Sequence, residues 1–404
     1  MTPPLVVLHS HPVWLGNTMT WLYNEVRDLP LAEIESHIVC HRTENLDQFT
    51  VPNIHSLEDL PAWKRMLDRG LQRLRVRRHL GLLTDVANQT RARVLHSHFG
   101  NIGYADRDAA RARRLFHVVS FYGRDISQLP HKRPVWRDRY RRLFDSADCV
   151  LSMGEHMTRC LRDLGCPPQK LREHHLGVRV GDFPFIPRAW DPAAGRPLRL
   201  LIAAMFREKK GIPLAIEAAA IAARTGAPIE VTVIGDATAS PEDQAEKARI
   251  LAAVAASGLG DGCVHFLGTQ TYEALMRHAY THHIFISPSL TSRDGDTEGG
   301  VALPVIEMAA TGMPVVATLH ADTSGVITHA VSGLLAPERD AGALAAQILR
   351  LHAHPAEWGP MVAAARHHIE AEFDAREQGR RLAAIYQEVA KNDPTDRSYR
   401  DRGR

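Results

Sequence analysis

Short, continuously apolar runs alternate with longer amphipathic segments throughout this chain, and no other feature restricts its fold as much. In the first half the runs are LVVLHS (5–10), IESHIVC (34–40), RVLHSHF (93–99), LFHVVSFY (115–122), DCVLSM (148–153) and LREHHLG (171–177). In the second half they are LRLLIAAMF (198–206), IEVTVIG (229–235), CVHFLG (263–268), HHIFISPS (282–289), MPVVAT (313–318) and GLLAP (333–337). Most of these read as strands buried on both faces, not as alternating ones. The segments between, such as 211–225 and 241–257, carry helical spacing. Repeated strand–helix units imply parallel sheets and an α/β class, because each return crossing is filled by a helix.

With 404 residues the chain has room for two or three domains. The stretch PFIPRAWDPAAGRP (184–197) holds four prolines and no periodicity, so it reads as a linker. The expected division is an N-terminal domain over 1–186 and a C-terminal domain over 187–365. A helix within 366–391 is expected to return to the first domain, and 392–404 to form a disordered polar tail. About six strands on each side suffice for two Rossmann-like, doubly wound sheets facing a cleft, with ligands at the carboxyl ends of the strands.

The net charge of +3 conceals a split. Residues 1–190 hold 28 Lys+Arg against 20 Asp+Glu, or +8, and the remainder holds 21 against 26, or −5. Five cysteines with no C-x-x-C pair argue against a disulfide framework or a zinc ribbon. The opening MTPPLVVLHSHP lacks the basic region of a signal peptide, and no stretch reaches the apolar length of a membrane span. A cytoplasmic setting is therefore expected. The 23 histidines form no H-E-x-x-H or similar pair, so no metal site is read.

Chemistry concentrates in a few segments. In IFISPSLTSRDGDTEGGVALPVIEMAATGMPVVAT (284–318) a strand ends at Ser287 and a polar loop follows, with Glu298 before a helix and Glu307 inside it. Gly299 and Gly300 would expose backbone N–H groups to an anion, and two carboxylates there could accept hydrogen bonds from sugar and ribose hydroxyls. In AAMFREKKGIPLAIEA (203–218), Arg207, Lys209 and Lys210 lie on a turn where they could hold a diphosphate. In HSHPVWLGNTMTWLYNEVRDL (9–29), Gly16, Asn17 and Thr18 precede a helix, as a phosphate contact or as a plain helix cap. HSHFG (96–100) and SFYGRDIS (120–127) put His98, Tyr122 and Asp125 just past buried strands, where they could meet substrate hydroxyls.

Taken in order, these segments resemble glycosyltransferase family 4, the retaining enzymes of GT-B fold, over about residues 5–390. MGEHM (153–157), HHLGVRVGDF (174–183), VTVIGDA (231–237), VHFLGTQTYEAL (264–275) and VSGLLAPERD (331–340) complete the series. The E-G-G form and the NTMTWLYNEV turn look like the branch that builds bacterial exopolysaccharides, including colanic-acid-type transferases. The resemblance implies a nucleotide-sugar donor, UDP- or GDP-linked, held by the C-terminal domain. Glu307 would bind the ribose and Glu298 the donor sugar, assisted by the backbone near Gly299, Gly300 and Val301. Lys210 would neutralise the departing diphosphate, Gly16 would let the first loop approach it, and Gly235, Phe266 and Leu267 would lie near the nucleotide. The N-terminal domain would hold the acceptor, a glycan or polyprenyl-linked saccharide. Transfer would proceed with retention and without metal or other cofactor. The chain departs from the family pattern at Met205, where an arginine is usual, at Tyr122, where a histidine is usual, and in the nine-residue interval between the glutamates. Two further readings remain at this stage: a catalytically silent member serving as a binding subunit, and an epimerase or phosphorylase on a similar fold.

Two arginine-rich helices carry most of the excess positive charge: 64–80 with Leu67, Leu71 and Leu74 on one stripe, and 132–144 with Trp136, Tyr140, Leu143 and Phe144. The stripes suit a core-facing surface with a solvated arginine face. They suit equally a peripheral contact with anionic lipid, at the inner face of the plasma membrane. No nucleic-acid-binding module is present.

Overall fold

A computed structural model of the chain describes residues 3–16, 19–74 and 76–391. It divides into two compact units. One runs to Gly177 and resumes at Asp374; the other is Val178–Phe373. The expected boundaries at 186/187 and 365/366 therefore both move. Val178, Val180 and Phe183 pack in the core of the second unit, which draws the first boundary back. The proline-rich 184–197 stretch is bound to the second unit and is not a loose linker. Arg188 donates to the Thr311 and Ala279 carbonyls at 3.1 and 2.8 Å, and Trp190 Nε1 donates to the His352 carbonyl at 3.2 Å. The patterned 356–391 region is two helices, Trp358–Glu372 in the second unit and Ala375–Lys391 in the first. The expected disordered tail lies outside the described residues.

The first unit holds a seven-stranded parallel sheet. Its order is Ile54–Ser56, Ile34–Cys40, Leu5–Ser10, Val94–His98, Phe116–Ser120, Cys149–Ser152, Leu171–Glu173. The Ile54–Ser56 strand is too short to show as an apolar run. Alternate residues serve opposite faces. Val7, Val94, Val118 and Leu151 pack against Leu382 and Tyr386 of the Ala375–Lys391 helix. Leu8, Val39 and Leu95 pack against Leu83 and Val86 of the Gly81–Thr90 helix.

The second unit holds six parallel strands, in the order Val264–Phe266, Ile229–Ile234, Leu198–Ala203, Ile284–Ser287, Val315–Thr318, Leu334–Ala336. Leu200, Ile202, Ile284, Ile286 and Val316 face one core, with the Ile212–Arg224 and Ala341–Ala353 helices. Leu201, Phe285, Val315 and Ala317 face the other, with the Leu303–Ala310 and Trp358–Glu372 helices. Burial on both faces is why the inner strands of this sheet read as largely apolar runs. In each sheet the order reverses once, beside Leu5–Ser10 and beside Leu198–Ala203. A crevice at the carboxyl ends of the strands is the physical consequence of such a switch point.

Both arginine-rich helices differ from expectation. The first is Ala62–Arg73, and only Asp68 of it is buried. The second region breaks before Pro134, which disfavours helix at Arg133, into Gln128–Lys132 and Val135–Ser146. The latter does bury Tyr140, Leu143 and Phe144. No helix among the described residues is long and apolar enough to cross a membrane.

Candidate donor and acceptor sites

In the second unit the switch point is built by two loops. The strand Leu198–Ala203 runs into a 3-10 turn, Glu208–Lys210, closed by Gly211. Gly211 has φ 60°, and a Cβ there would lie 1.9 Å from the Pro288 carbonyl oxygen, so the position admits only glycine. The second loop, 288–302, docks against this turn where the Leu290 N–H donates to the Lys209 carbonyl at 2.8 Å.

These loops bring together three residues picked out in the sequence. Lys210 Nζ lies 2.8 Å from Glu298 Oε1. Lys209 Nζ lies 3.3 Å from Asp296 Oδ1 and donates to the Thr297 carbonyl at 2.9 Å. Burial pushes the Glu298 carboxyl up, but Lys210 and Lys209 outweigh it and hold the group at about 2. Glu298 is thus ionised at any physiological pH. Arg207 is not part of this cluster. It precedes the turn in an extended conformation, and its Nε lies 3.8 Å from Asp243 Oδ1.

Glu307 sits inside the Leu303–Ala310 helix. Its carboxylate is buried and accepts one hydrogen bond, from the Tyr272 hydroxyl at 3.3 Å. Burial raises it to about 7. The glycines before this helix do not present their N–H groups as expected. Gly299 donates to Thr297 Oγ1 at 3.3 Å and Gly300 to the Glu298 carbonyl at 2.7 Å, because the chain turns tightly there. The helix start beyond Val301, which Ala302 opens without a side-chain cap, is the positive end of the helix dipole here.

Gly235, Phe266 and Leu267 meet at the ends of adjacent strands. Gly235 donates to the Gly268 carbonyl at 2.9 Å, and its missing Cβ makes room for the Ala204 carbonyl oxygen. Phe266 is partly exposed and meets Phe206 edge-on.

His320 and Glu338 were missed at the sequence level. The Glu298 backbone N–H donates to His320 Nε2 at 3.1 Å, which places the imidazole proton on Nδ1, 2.6 Å from Glu338 Oε1. Glu338 Oε2 in turn accepts from the Thr291 N–H at 2.9 Å. This chain of contacts holds the Glu298 loop from behind. Nothing in the spacing of residues 298, 320 and 338 announces it.

In the first unit, Gly16 precedes the Thr20–Arg27 helix with open space where a Cβ would stand. Asn17, its expected partner, lies outside the described residues, as does Thr18. His98 is fully buried; its Nε2 lies 3.1 Å from His9 Nδ1 and its Nδ1 2.6 Å from the Tyr122 hydroxyl. It is a satisfied core histidine, bonded to the hydroxyl of Tyr122, which is half-buried. Asp125 is also buried, and accepts from the backbone N–H groups of Gly100, Tyr122 and Gly123. Its work is to shape the loop that carries Tyr122.

Two features here escaped sequence reading. The imidazoles of His9, His96 and His98 converge as a group that could hold a metal ion, although no ligand spacing marks them. Burial drives His9 to about 3 and His96 and His98 well below the usual histidine range, so all three are neutral. His96 is braced by the Tyr386 hydroxyl at 2.6 Å and Ser120 Oγ at 2.7 Å, and His9 Nε2 has no hydrogen-bond partner among the described residues. Glu25 is buried on the apolar stripe of Leu22 and Val26, and neither of its oxygens has a hydrogen-bond partner among the described residues. Its nearest ionisable neighbours are His98 Nδ1 at 3.7 Å and His174 Nε2 at 3.6 Å. The one available signal was a glutamate at helical spacing between apolar residues.

The family descriptions that match are glycosyl transferases group 1, over residues 196–354, and glycosyl transferase 4-like domain, over 18–177. The chain is 36% identical over 295 residues to the amylovoran biosynthesis glycosyltransferase AmsK of Erwinia amylovora, covering 72% of this chain and 69% of that one. It is 30% identical over 312 residues to the putative colanic acid biosynthesis glycosyltransferase WcaL of Escherichia coli, covering 75% and 72%. Its fold is similar to that of the Anabaena protein HepE solved with UDP, with a TM-score of 0.76 at 14% identity over 95% of this chain and 100% of that one.

Proposed function

The chain belongs to the group 1 glycosyl transferases, and on that premise we propose that it moves a sugar from a UDP- or GDP-linked donor to a glycan or polyprenyl-linked saccharide in the assembly of a bacterial surface polysaccharide. The parallel-sheet units are those of the GT-B fold, and the protein is a glycosyltransferase. The pathway reading is supported by the relatives' names, and the nucleotide-sugar reading by the UDP in the HepE structure. The observation that carries the proposal is the Lys210–Glu298 pair at 2.8 Å, in the loop that leads into the helix of the buried Glu307.

In this reading Glu307 accepts from the ribose hydroxyls, while Glu298 exchanges its bond to Lys210 for the donor sugar's hydroxyls. Lys210 is thereby freed to neutralise the diphosphate, together with the uncapped helix start. The bond between the anomeric carbon and the diphosphate oxygen breaks. The acceptor oxygen bonds on the same face, and its proton passes to the departing phosphate. No carboxylate nucleophile is required, in contrast to retaining glycosidases. Positioning and cationic stabilisation then supply the rate, and the reaction as proposed uses no metal or other cofactor. Tyr122 and the unpartnered Glu25 are the groups assigned to the acceptor.

The test is a thermal-shift screen against UDP-, GDP- and ADP-sugars, followed by a transfer assay with Glu307→Ala as control. Stabilisation by one donor class and turnover lost in the variant are expected. If no donor stabilises the protein and none is hydrolysed or transferred, the catalytic reading fails in favour of a silent binding subunit. Interconversion of the donor without an acceptor would instead identify an epimerase.

A further inference from the structure

The Ala62–Arg73 helix is attached to its unit by the wrong face for a core helix. Its polar side points inward. Buried Asp68 accepts from the Gly81 N–H at 2.8 Å and pairs with Arg77, and Gln72 donates to the His79 carbonyl at 3.2 Å. Trp63, Met66, Leu67, Gly70 and Leu74 lie at i, i+3, i+4, i+7 and i+11, a single stripe on the opposite side. That stripe faces outward. Trp63 is 63% exposed, Met66 73%, Leu67 56% and Leu74 75%, and Val76 just beyond is 71% exposed. Five large apolar residues within fourteen positions form a contiguous patch of the kind that marks an interaction surface.

The charges around the stripe select the occupant. At about 100° per residue, Lys64 borders it on one side and Arg69 and Arg73 on the other. All three are exposed, and Lys64 Nζ stands 5.5 Å over the Trp63 ring. An apolar stripe with an aromatic and with cations along both borders matches a bilayer interface, where the apolar side chains enter the acyl boundary and the cations reach phosphates. The polar 392–404 segment (NDPTDRSYRDRGR) has too little apolar surface to cover the stripe. We propose that this helix docks the protein on an anionic lipid bilayer, with Trp63, Met66, Leu67 and Leu74 inserted. The proposal deepens the lipid-linked acceptor reading and narrows the expected contact to one helix. The Val135–Ser146 helix does not share it, because its apolar side is already buried.

The test is co-sedimentation of the full chain with phosphatidylcholine vesicles containing about a third phosphatidylglycerol. The protein is expected to pellet with these vesicles, several-fold less with pure phosphatidylcholine, and several-fold less at about 0.5 M salt than at about 0.1 M. Met66→Gln with Leu67→Gln should reduce partitioning roughly tenfold or more, while leaving Tm and transfer to a water-soluble acceptor unchanged. Arg137→Gln with Arg141→Gln should leave binding unaltered. The proposal falls if the wild-type chain does not pellet, or if the Met66/Leu67 variant pellets equally. It also falls if light scattering finds a dimer that this variant dissociates, since a second copy would then cover the stripe. In the wild-type chain, vesicle binding absent with soluble transfer intact sinks docking alone; transfer absent with binding intact sinks the transferase reading alone.

Discussion

Five side chains in the second unit have separable duties that substitutions should resolve. Glu307, raised to about 7 by burial, is protonated below that pH and loses its acceptor capacity toward two hydroxyls. Donor affinity should therefore tighten as pH rises through about 7, and a titration of donor Kd from pH 5.5 to 8.5 should lose that limb in Glu307→Gln. Glu298, held at about 2, should contribute no such limb. Lys210→Met should cut kcat by roughly 10² to 10³, as loss of one charge-stabilising group does. Lys209→Met should act mainly on KM, since its ammonium ties down Asp296 and the Thr297 carbonyl within the loop. His320 touches only the backbone of Glu298, so it is a positioning residue. His320→Ala should lower kcat about tenfold without abolishing donor binding in a thermal-shift assay, a loss of the size of one buried hydrogen bond. Glu298, Glu307 and Lys210 could be singled out beforehand because each sits in a segment with its own chemical signal. His320, Glu338 and Glu25 could not, because their importance lies in partners 22, 18 and 73 positions away.

Periodicity announced most of the elements, for a physical reason. A strand buried on both faces needs apolar residues at every position, so its run stands out against the 3.6-residue pattern of its neighbours. Leu200–Ile202 and Ile284–Ile286 are of that kind. Ile54–Ser56 was missed because three residues make no run, and the direction in which a helix presents its stripe was missed altogether. The patterns of Ala62–Arg73 and Val135–Ser146 look alike in the sequence, yet one turns its apolar side out and the other in. Spacing records that a stripe exists and says nothing of what covers it. Turn glycines were more legible. Gly211→Ala combines a left-handed φ with a contact of 1.9 Å to Pro288, and should destabilise by about 2 kcal/mol or more. A differential scanning measurement should register this as a Tm lowered by roughly 4 °C or more.

At the scale of the whole molecule, the observed division sharpens the charge split. The unit containing both termini holds 34 Lys+Arg against 25 Asp+Glu, or +9, and Val178–Phe373 holds 15 against 21, or −6. The +8 and −5 read from a break at 190 change because the first unit also takes in 374–404, with 8 Lys+Arg against 6 Asp+Glu. The first unit is also discontinuous, since Leu382 and Tyr386 close its sheet from the far end of the chain. Leu382→Ala should cost about 2 to 5 kcal/mol, read as earlier unfolding of the first unit in limited proteolysis while Val178–Phe373 resists as before. This arrangement imposes an order on synthesis. A ribosome adding about 5 to 20 residues per second delivers the Ala375–Lys391 helix roughly ten to forty seconds after Gly177 has been made. During that interval the chain of the middle unit is itself being made, so that unit has all of its residues before the helix arrives, while the seven-stranded sheet that preceded it waits with one apolar face uncovered. The part made first is finished last, and any message cut short before that helix yields a product whose exposed sheet marks it for chaperones and proteases.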